Sequence, residues 1–309
     1  MTTTMTYHEP VLLQQSVNLL VQNPDGIYID ATFGGGGHSR EILSRLSPAG
    51  RLFAFDQDID ARQNIIEDAR FQLIMSNFRY IKNQLRFLGI TQIDGILADL
   101  GVSSHQFDTG KRGFSTRFEG ELDMRMNQEQ NQTAAKIINE ANEEDIARIF
   151  ADYGEIRAAK KWANIIVHAR KENPIVSTSD LKKLFEHKIP EVRRNKIFAQ
   201  LFQALRIEVN DELKALEEML LSSIDIIKPN GRLVVISYHS LEDRLVKRFL
   251  KNGKFEGEPQ RDIYGRWYAP FEPLQSKVIV AEEAEISKNP RARSAKLRVG
   301  IRNHAEEKK

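Results

Sequence analysis

The sequence predicts an α/β protein in which a mainly parallel sheet is interrupted by an inserted all-helical domain. In the first hundred residues, short β-rich runs alternate with helical patterns, as expected for strand-helix-strand units. After residue 104 the alternation stops, and for about ninety residues only helical periodicity follows. Residues 231–237 then form a near-continuous apolar run, which is typical of a buried central strand. We therefore predict a sheet domain made of 1–104 and 201–309, divided by a helical domain over 105–200.

The N-terminal half of the sheet is predicted from four β-rich runs and the helical patterns between them. The predicted strands are 27–32, 51–56, 71–75 and 93–99. The predicted helices between them are 38–47, 58–69 and 78–88. In the inserted domain, apolar residues from Ile156 to Val167 recur on one helix face, and Ser177 with Asp180 forms a capping box for another helix.

The C-terminal part is predicted to return the chain to the sheet. Apolar residues at three- and four-residue steps over 198–220 predict one long amphipathic helix. After the central strand, Ser240 and Asp243 offer a capping box for a basic helix that extends to about residue 251. The segment 253–275 is rich in glycine, proline and aromatic residues and predicts an irregular surface loop. The last strands are predicted at 277–281 and 295–302.

Composition limits the classes of protein to which the chain can belong. The 309 residues carry 45 basic and 43 acidic side chains and no cysteine, which excludes disulfides, thiolate metal sites and cysteine nucleophiles. No apolar run reaches the length of a membrane span and no lysine or arginine precedes Arg40, so no membrane is expected and the cytoplasm is the predicted location. Residues 244–254 hold five basic and no acidic side chains, and residues 288–302 hold six and none. A solvated surface is the ordinary interpretation of such clusters.

A glycine-rich turn is the first candidate for a binding site. The string DATFGGGGHS at 30–39 follows a predicted strand and opens a predicted helix, so backbone amides at the helix start can face a ligand. Asp56 ends the next strand, where a carboxylate can accept hydrogen bonds from both hydroxyls of a ribose. A flexible loop and a helix N-cap are the plainer interpretations of the two features taken singly. Together they predict a cofactor that contains a nucleoside.

The turn alone does not distinguish a dinucleotide from S-adenosylmethionine, since both present adenosine to such a crevice. The sequence contains no phosphate-binding loop of the Gly-x4-Gly-Lys-[Ser/Thr] type, which disfavours an ATPase. Asp99 ends the fourth predicted strand and is followed by a small-residue turn. Amino-group methyltransferases place an acidic or amide residue and a tight turn at this position, although the Pro-Pro-aromatic tail that often follows is missing here.

Several longer strings carry a resemblance to one family. They are HEPVLL at 8–13, DATFGGGGHS at 30–39, DLGVSSHQFD at 99–108, RGFS at 112–115, LDMRM at 122–126, FQALRIEVN at 202–210, SYHSLEDRLVKRF at 237–249 and NPRARSAKLR at 289–298. In these strings the chain resembles, over nearly its whole length, the MraW/RsmH family of bacterial 16S ribosomal RNA methyltransferases that act on the N4 of cytosine. The resemblance implies a Rossmann-like class I S-adenosylmethionine-dependent methyltransferase sheet, with the helical insertion recognising the substrate. The implied partner is 16S ribosomal RNA in the small subunit or an assembly intermediate, bound by a monomer or a homodimer.

The resemblance also implies a set of site residues. The cofactor-binding residues carried over are Gly36, Gly37, His38, Asp56, Phe78, Asp99 and Gln106. Phe78 opens a predicted helix, where an aromatic face can cover adenine, whereas Gln106 taken alone is an ordinary loop amide. There are two departures from the family pattern. Gly35 stands where a basic residue is often found, and residues 199–201 read Ala-Gln-Leu where Ala-Thr-Arg is often found.

The absence of cysteine also limits the reaction. Methylation of pyrimidine carbon 5 normally requires a thiolate to add to the ring, so the predicted target is a heteroatom such as an exocyclic amine. The cytosine amine is a weak nucleophile that the enzyme must orient. We hypothesise that Asp99, or the backbone carbonyls that follow it, holds this amine; the competing role for Asp99 is cofactor binding alone. His239 and Ser240 are interpreted as the edge of the site and a helix cap, and no metal site is predicted.

An RNA substrate would account for other features of the sequence. A base must leave its stack to reach the methyl group, which favours unpaired RNA and nearby aromatic surfaces. The aromatic candidates are Phe107, Phe114, Phe118 and Tyr238. The basic clusters 244–254 and 288–302 then become candidate phosphate contacts. An NAD(P)-dependent oxidoreductase and a non-catalytic ribosome-assembly factor are the alternatives.

Overall fold

The computed structural model describes residues 10–259, 261, 264, 265 and 268–304. Its chain divides into two compact units, with boundaries after Gly101 and after Glu212. The first unit contains the sheet, and the second, Val102–Glu212, is helical. The junctions lie within a few residues of the predicted limits of the insertion on the N-terminal side and about twelve residues beyond them on the C-terminal side. Among the described helices, none is long and apolar enough to cross a membrane.

In the described part of the chain, seven strands form a single sheet. They are β1 (Ile27–Asp30), β2 (Arg51–Asp56), β3 (Phe71–Met75), β4 (Ile93–Asp99), β5 (Ile227–Ser237), β6 (Phe271–Pro273) and β7 (Lys296–Arg302). Their order is β3-β2-β1-β4-β5-β7-β6, in which β1 to β5 run parallel and β7 runs antiparallel to both of its neighbours. The direction of winding reverses between β1 and β4, so their carboxyl ends open the crevice where such sheets bind ligands. The predicted α/β, Rossmann-like class I fold is confirmed.

The remaining described chain contains twelve α-helices. In chain order they are α1 (Leu13–Leu20), α2 (Gly37–Arg45), α3 (Ile81–Phe87), α4 (Ser104–Asp108), α5 (Ala134–Glu140), α6 (Glu143–Asp152), α7 (Ala159–Glu172), α8 (Thr178–Glu186), α9 (Glu191–Asn210), α10 (Glu212–Ile226), α11 (Ser240–Asn252) and α12 (Glu283–Lys288). The predicted helices near 38–47 and 78–88 are confirmed, the second with a first turn of 3₁₀ geometry. The predicted capping box of Ser177 and Asp180 at α8 is confirmed as well.

Alternation along the strands gives the sheet two apolar faces. On one face, Ile29, Ile96 and Val235 belong to a buried cluster with residues of α3, α10 and α11. On the other face, Leu97 and Val234 belong to a cluster with residues of α1 and α2. Because successive side chains of a strand point to opposite faces, both sides of the central strands are apolar and read as continuous hydrophobic runs.

The helical unit has its own core. Buried residues of α5 to α9 form one cluster, in which the rings of Trp162 and Phe185 stack with centroids 4.6 Å apart. Asn210 ends α9 and is 7% exposed. Its side chain accepts a hydrogen bond from Met126 N at 2.7 Å and donates to Met124 O at 2.7 Å. A polar residue in this core is therefore satisfied by the backbone of the segment that leads into the helices.

Two predicted helices are wrong in length. The prediction of one helix over 58–69 fails, because only residues 59–64 are helical and they form a 3₁₀ helix. Ala61 is the buried apolar residue of that helix while Ile59 and Ile65 are exposed, so this segment has no continuous apolar face to pack. The predicted continuous helix over 198–220 is also interrupted, because Asp211 adopts a left-handed conformation with φ 50° that ends α9.

The C-terminal predictions need three corrections. The residue that caps α11 is His239 rather than Ser240, and Glu242 rather than Asp243 occupies the third position, where it accepts a hydrogen bond from the amide of Tyr238 at 2.9 Å. The predicted strand 277–281 is only an isolated bridge between Ile279 and Leu297. The edge strand β6 lies inside the predicted loop 253–275, because Phe271 is fully buried against the core while Pro273 suits an edge position. Residues 260, 262, 263, 266 and 267 of that loop lie outside the described chain.

Candidate functional site

The glycine turn connects β1 to α2 at the carboxyl edge of the sheet. Gly34 and Gly36 have φ of 50° and 74°, a left-handed conformation that side-chain-bearing residues rarely adopt. Gly37 opens α2, and a Cβ atom at this position would lie 2.2 Å from Cγ of Pro10. The Arg40 guanidinium donates a hydrogen bond to Gly35 O at 2.7 Å, so a cation lies beside this glycine. Glycine is thus required for the backbone shape at two positions and for close packing at a third.

Asp30 anchors this turn, a role that the sequence analysis did not assign. It is 1% exposed, and its Oδ2 accepts a hydrogen bond from Ser39 Oγ at 2.6 Å. Its Oδ1 accepts from Thr32 N at 3.1 Å, and Thr32 Oγ1 in turn accepts from Asp99 N at 2.7 Å. Burial raises the pKa of Asp30 to about 6. The sequence did contain a signal for this role, because Asp30 ends a predicted strand and Ser39 follows nine residues later on the next predicted helix.

Asp56 lies at the end of β2, where the sequence analysis placed it. Its Oδ2 accepts a hydrogen bond from Gly34 N and its Oδ1 from Asp58 N, both at 2.8 Å. Burial raises the pKa of Asp56 to about 6. Since a carboxylate has about four acceptor positions, the described residues leave two of them for a ligand.

Phe78 follows β3 and is held near the end of β2 by its neighbour. Asn77 caps the 3₁₀ turn at 78–80 by accepting a hydrogen bond from Arg79 N, and its amide donates to Gln57 Oε1 at 2.9 Å. The ring of Phe78 is partly buried against the core cluster on one face of the sheet. The structure therefore brings Phe78 to the same edge as Asp56.

Asp99 ends β4, next to the glycine turn in the sheet order. Its Oδ1 accepts a hydrogen bond from the Tyr238 hydroxyl at 2.8 Å, and its Oδ2 lies 3.8 Å from His38 Nδ1. Burial, with the nearby charges of Asp30 and Glu242, raises the pKa of Asp99 to about 7 against the opposing effect of the Tyr238 hydrogen bond. The side chain is 22% exposed, so it is partly buried and can still be reached by a ligand.

His38 is a neutral polar group beside this carboxylate. Its side chain is 6% exposed, and burial lowers its pKa to about 4. Its Nε2 is buried without a hydrogen-bond partner among the described residues. A buried, unpartnered nitrogen of this kind is expected where a ligand completes the hydrogen bonding.

Gln106 belongs to the helical unit, apart from the unit that holds the other predicted cofactor residues. It is 5% exposed, and it completes a capping box at α4 in which its Oε1 accepts from Ser103 N at 3.0 Å. This local role accounts for an amide that its sequence position alone left unexplained.

The residues proposed to contact RNA differ in their exposure and in their hydrogen-bond partners within the protein. Asp243 accepts hydrogen bonds from Arg298 at 2.7 Å and Lys296 at 3.3 Å, and Arg302 donates to Ile224 O at 3.0 Å. These three cations of the 288–302 cluster therefore have structural partners. The outward face of α11 exposes the basic residues Arg244, Lys247, Arg248 and Lys251, of which Arg248 donates a hydrogen bond to Phe255 O at 3.2 Å. Among the aromatic candidates, Phe114 is core, Phe107 and Tyr238 are half-buried, and Phe118 is 45% exposed.

The arrangement combines acceptors and an electrically negative environment. Asp30, Asp56 and Asp99 end three adjacent strands, and each has a pKa raised by burial. Such a site favours a ligand that carries hydroxyl donors and a positive charge, since either a donated hydrogen bond or a nearby cation stabilises a buried carboxylate.

Comparison with known proteins gives a full-length match. The model of the MraW methylase family matches residues 5–303. The ribosomal RNA small subunit methyltransferase H of Flavobacterium johnsoniae is 59% identical over 299 residues, which cover 97% of this chain and 99% of that protein. The protein of the same name from Christiangramia forsetii is 55% identical over 295 residues, covering 96% and 97%. Among solved structures, TrmN from Thermus thermophilus aligns with a TM-score of 0.42 at 12% identity, over 94% of this chain and 48% of that one.

Proposed function

The chain belongs to the MraW methylase family, and from this premise we propose that it transfers a methyl group from S-adenosylmethionine to the N4 amine of a cytidine in 16S ribosomal RNA. The relatives named above act, by their names, on ribosomal RNA of the small subunit. The observation that carries the proposal is the convergence of the glycine turn, Asp56 and Asp99 at the point where the strand order reverses. With a substrate of this kind, the cytoplasm is the proposed location.

The residues at this edge fit an adenosyl sulfonium. We assign the ribose hydroxyls to Asp56, which keeps two acceptor positions, and the adenine face to Phe78. Gly36, Gly37 and His38 would line the turn, where the unpartnered Nε2 of His38 offers a polar contact. Gln106 is assigned to the pocket from the family resemblance alone.

Charge favours this cofactor over a dinucleotide. The sulfur of S-adenosylmethionine is cationic, whereas the pyrophosphate of NAD(P) is anionic. The carboxylates of Asp30, Asp56 and Asp99 attract the first ligand and repel the second. A helix N-terminus such as that of α2 suits a phosphate, but here it lies beside these acids.

Bound S-adenosylmethionine supplies an electrophilic methyl group. The task left to the chain is to orient a weakly nucleophilic amine and to accept its proton. We propose that Asp99 accepts a hydrogen bond from the amine, whose proton becomes acidic only as the new carbon-nitrogen bond forms. With a pKa of about 7, Asp99 can take that proton without being a strong base. The amide introduced by Asp99→Asn could still hold the cofactor but could not take the proton.

RNA binding is assigned to the outward face of α11. Its four exposed basic residues span about two helical turns, and the acidic residues of this helix, Glu242 and Asp243, are turned inward to hydrogen-bonding partners. A stripe of cations of this kind suits a phosphate backbone and carries no sequence information. The choice of base must therefore come from another part of the protein, for which we propose the helical insertion.

The decisive experiment is methyl transfer to small subunits isolated from a strain that lacks the enzyme. Purified protein and S-adenosylmethionine should produce N4-methylcytidine, detected by mass spectrometry of ribosomal RNA nucleosides. Subunits from the parent strain, already modified, provide the matched control and should accept no methyl group. No methylation with correctly folded protein would favour the non-catalytic assembly factor, and protection against heat by NAD rather than S-adenosylhomocysteine would favour the oxidoreductase.

A further inference from the structure

We propose that Tyr238 is a positioning residue for methyl transfer, whose hydroxyl holds one oxygen of Asp99 so that the other faces the ligands of the pocket. The inference rests on the proposed function, because it assigns a task to Asp99 in that reaction. It replaces the stacking role predicted for Tyr238, since the structure engages the phenol through its hydroxyl.

The contacts of Asp99 single out Tyr238. Among the described residues, the Tyr238 hydroxyl, at 2.8 Å from Oδ1, is the hydrogen-bond donor to this carboxylate. Thr32 bonds the backbone amide of Asp99 rather than its side chain, and His38 Nδ1, at 3.8 Å from Oδ2, is beyond hydrogen-bond distance. Oδ1 is therefore fixed by the protein while Oδ2 is left for another partner.

The phenol is itself held in place. Tyr238 follows β5 directly, and its amide donates to Glu242 Oε2 at 2.9 Å. Leu100 N donates to Ile236 O at 2.9 Å, which ties the end of β4 to the end of β5. A Cβ atom on Gly101, whose φ is 98°, would lie 3.6 Å from Cδ2 of Tyr238, so the turn after Asp99 lies against the ring. The position of the Tyr238 hydroxyl relative to the Asp99 carboxylate is therefore set by the alignment of β4 with β5.

The surrounding charges explain why a donor is needed. The titratable groups that face Asp99 are His38 from α2, Asp30 from β1, and Tyr238 and Glu242 from β5 and α11. Burial and the two acids favour the protonated form of Asp99, and neutral His38 does not oppose them. The pKa of Tyr238 is raised well above its ordinary value by burial and by the charge of Asp99, so its hydroxyl remains a donor at any working pH. Tyr238 therefore favours the ionised, accepting form of Asp99.

The test is the pH dependence of S-adenosylmethionine binding, measured by calorimetry on full-length wild-type protein and Tyr238→Phe. Phenylalanine keeps the ring against Gly101 and removes the donor. We expect the affinity of the variant to fall about 10- to 100-fold near neutral pH, as for loss of a hydrogen bond to a charged group. The acidic limb of the binding profile should move upward by about one to two pH units. Tyr264→Phe removes the hydroxyl of a tyrosine that is 77% exposed and is the matched control. It should leave the affinity and the acidic limb of the profile unchanged.

A double-mutant cycle separates positioning from folding. If Tyr238 acts through Asp99, Tyr238→Phe should change the affinity less than about threefold in an Asp99→Ala background, which leaves no side-chain oxygen for the hydroxyl to hold. An unshifted pH limb in Tyr238→Phe, or an equal loss of affinity in that background, would overturn the inference while leaving the cofactor assignment intact. Absence of binding to the wild-type protein would overturn both. A loss of binding that is the same at every pH, with a lowered melting temperature, would assign Tyr238 a purely structural role and also overturn the inference.

Discussion

Replacing Asp99 with asparagine should make the sheet unit more stable, and increasingly so as the pH rises. Burial raises the pKa of Asp99 from an ordinary 3.8 to about 7, so the folded protein binds this proton more tightly than the unfolded chain. The protonated Asp99 contributes fully to stability at pH values below its pKa in the unfolded chain. This contribution is lost as the pH rises through its pKa in the folded protein. A difference of about three pH units corresponds to about 4 kcal/mol. The 22% exposure of the side chain reduces the expectation to about 2 to 4 kcal/mol.

Hydrogen exchange followed by mass spectrometry suits this measurement, because it reports the free energy of opening for β4 and β5 alone in a chain with two compact units. The quantity to follow is the difference in opening free energy between Asp99→Asn and wild type from about pH 4 to about pH 8. Asp225→Asn, which removes a carboxylate that is 55% exposed beside Lys82, supplies the control for loss of one negative charge. If the difference for Asp99→Asn stays constant across this range, Asp99 does not titrate near neutral pH and the reasoning is wrong.

Two further predictions concern the glycine turn and the basic face of α11. Gly37→Ala should lower cofactor affinity and destabilise the fold by about 1 to 3 kcal/mol, because the new Cβ would lie 2.2 Å from Cγ of Pro10. Thermal unfolding measures the loss of stability, and Pro10→Ala in the same chain should restore most of it. Failure of that rescue would place the strain elsewhere. Lys247→Ala should weaken RNA binding and reduce the slope of log affinity against log salt by about 0.7, the value for one contact with single-stranded RNA. Lys82→Ala, which removes a lysine paired with Asp225 on another helix, should leave the slope unchanged, and an equal change in the two variants would contradict the assignment.

Local patterns in the sequence predicted features whose residues lie close together along the chain. The glycine run, Asp56 and the capping box at Ser177 each depend on residues a few positions apart, and each stands in the structure as its spacing indicates. The parallel sheet followed from the alternation of strand and helix. The central strand was predicted from the continuous apolar run at 231–237, since such a composition requires that both faces of the strand be buried.

What the sequence did not predict depends on contacts between distant segments. The break at Asp211 accompanies the hydrogen bonds of Asn210 to residues 124 and 126, which no helical periodicity reveals. The cap of α11 moved by one residue because Asp243 pairs with Arg298, 55 positions further on. The bond between Tyr238 and Asp99 joins residues 139 positions apart. Each depends on which strands and loops become neighbours, so it could be found only after the strand order was known.

The strand order also determines how the acids of the site act on one another. β1 lies between β2 and β4, so Asp30 at its end has Asp56 on one side and Asp99 on the other. After burial, which is the larger cause, the charge of Asp30 raises the pKa of both, while these two, which are not on adjacent strands, show no such effect on each other. Asp30 makes its own bonds to Ser39 and Thr32 within the turn, yet it is the residue through which the two ligand-facing acids are coupled. A substitution at Asp30 therefore changes the protonation of both Asp56 and Asp99.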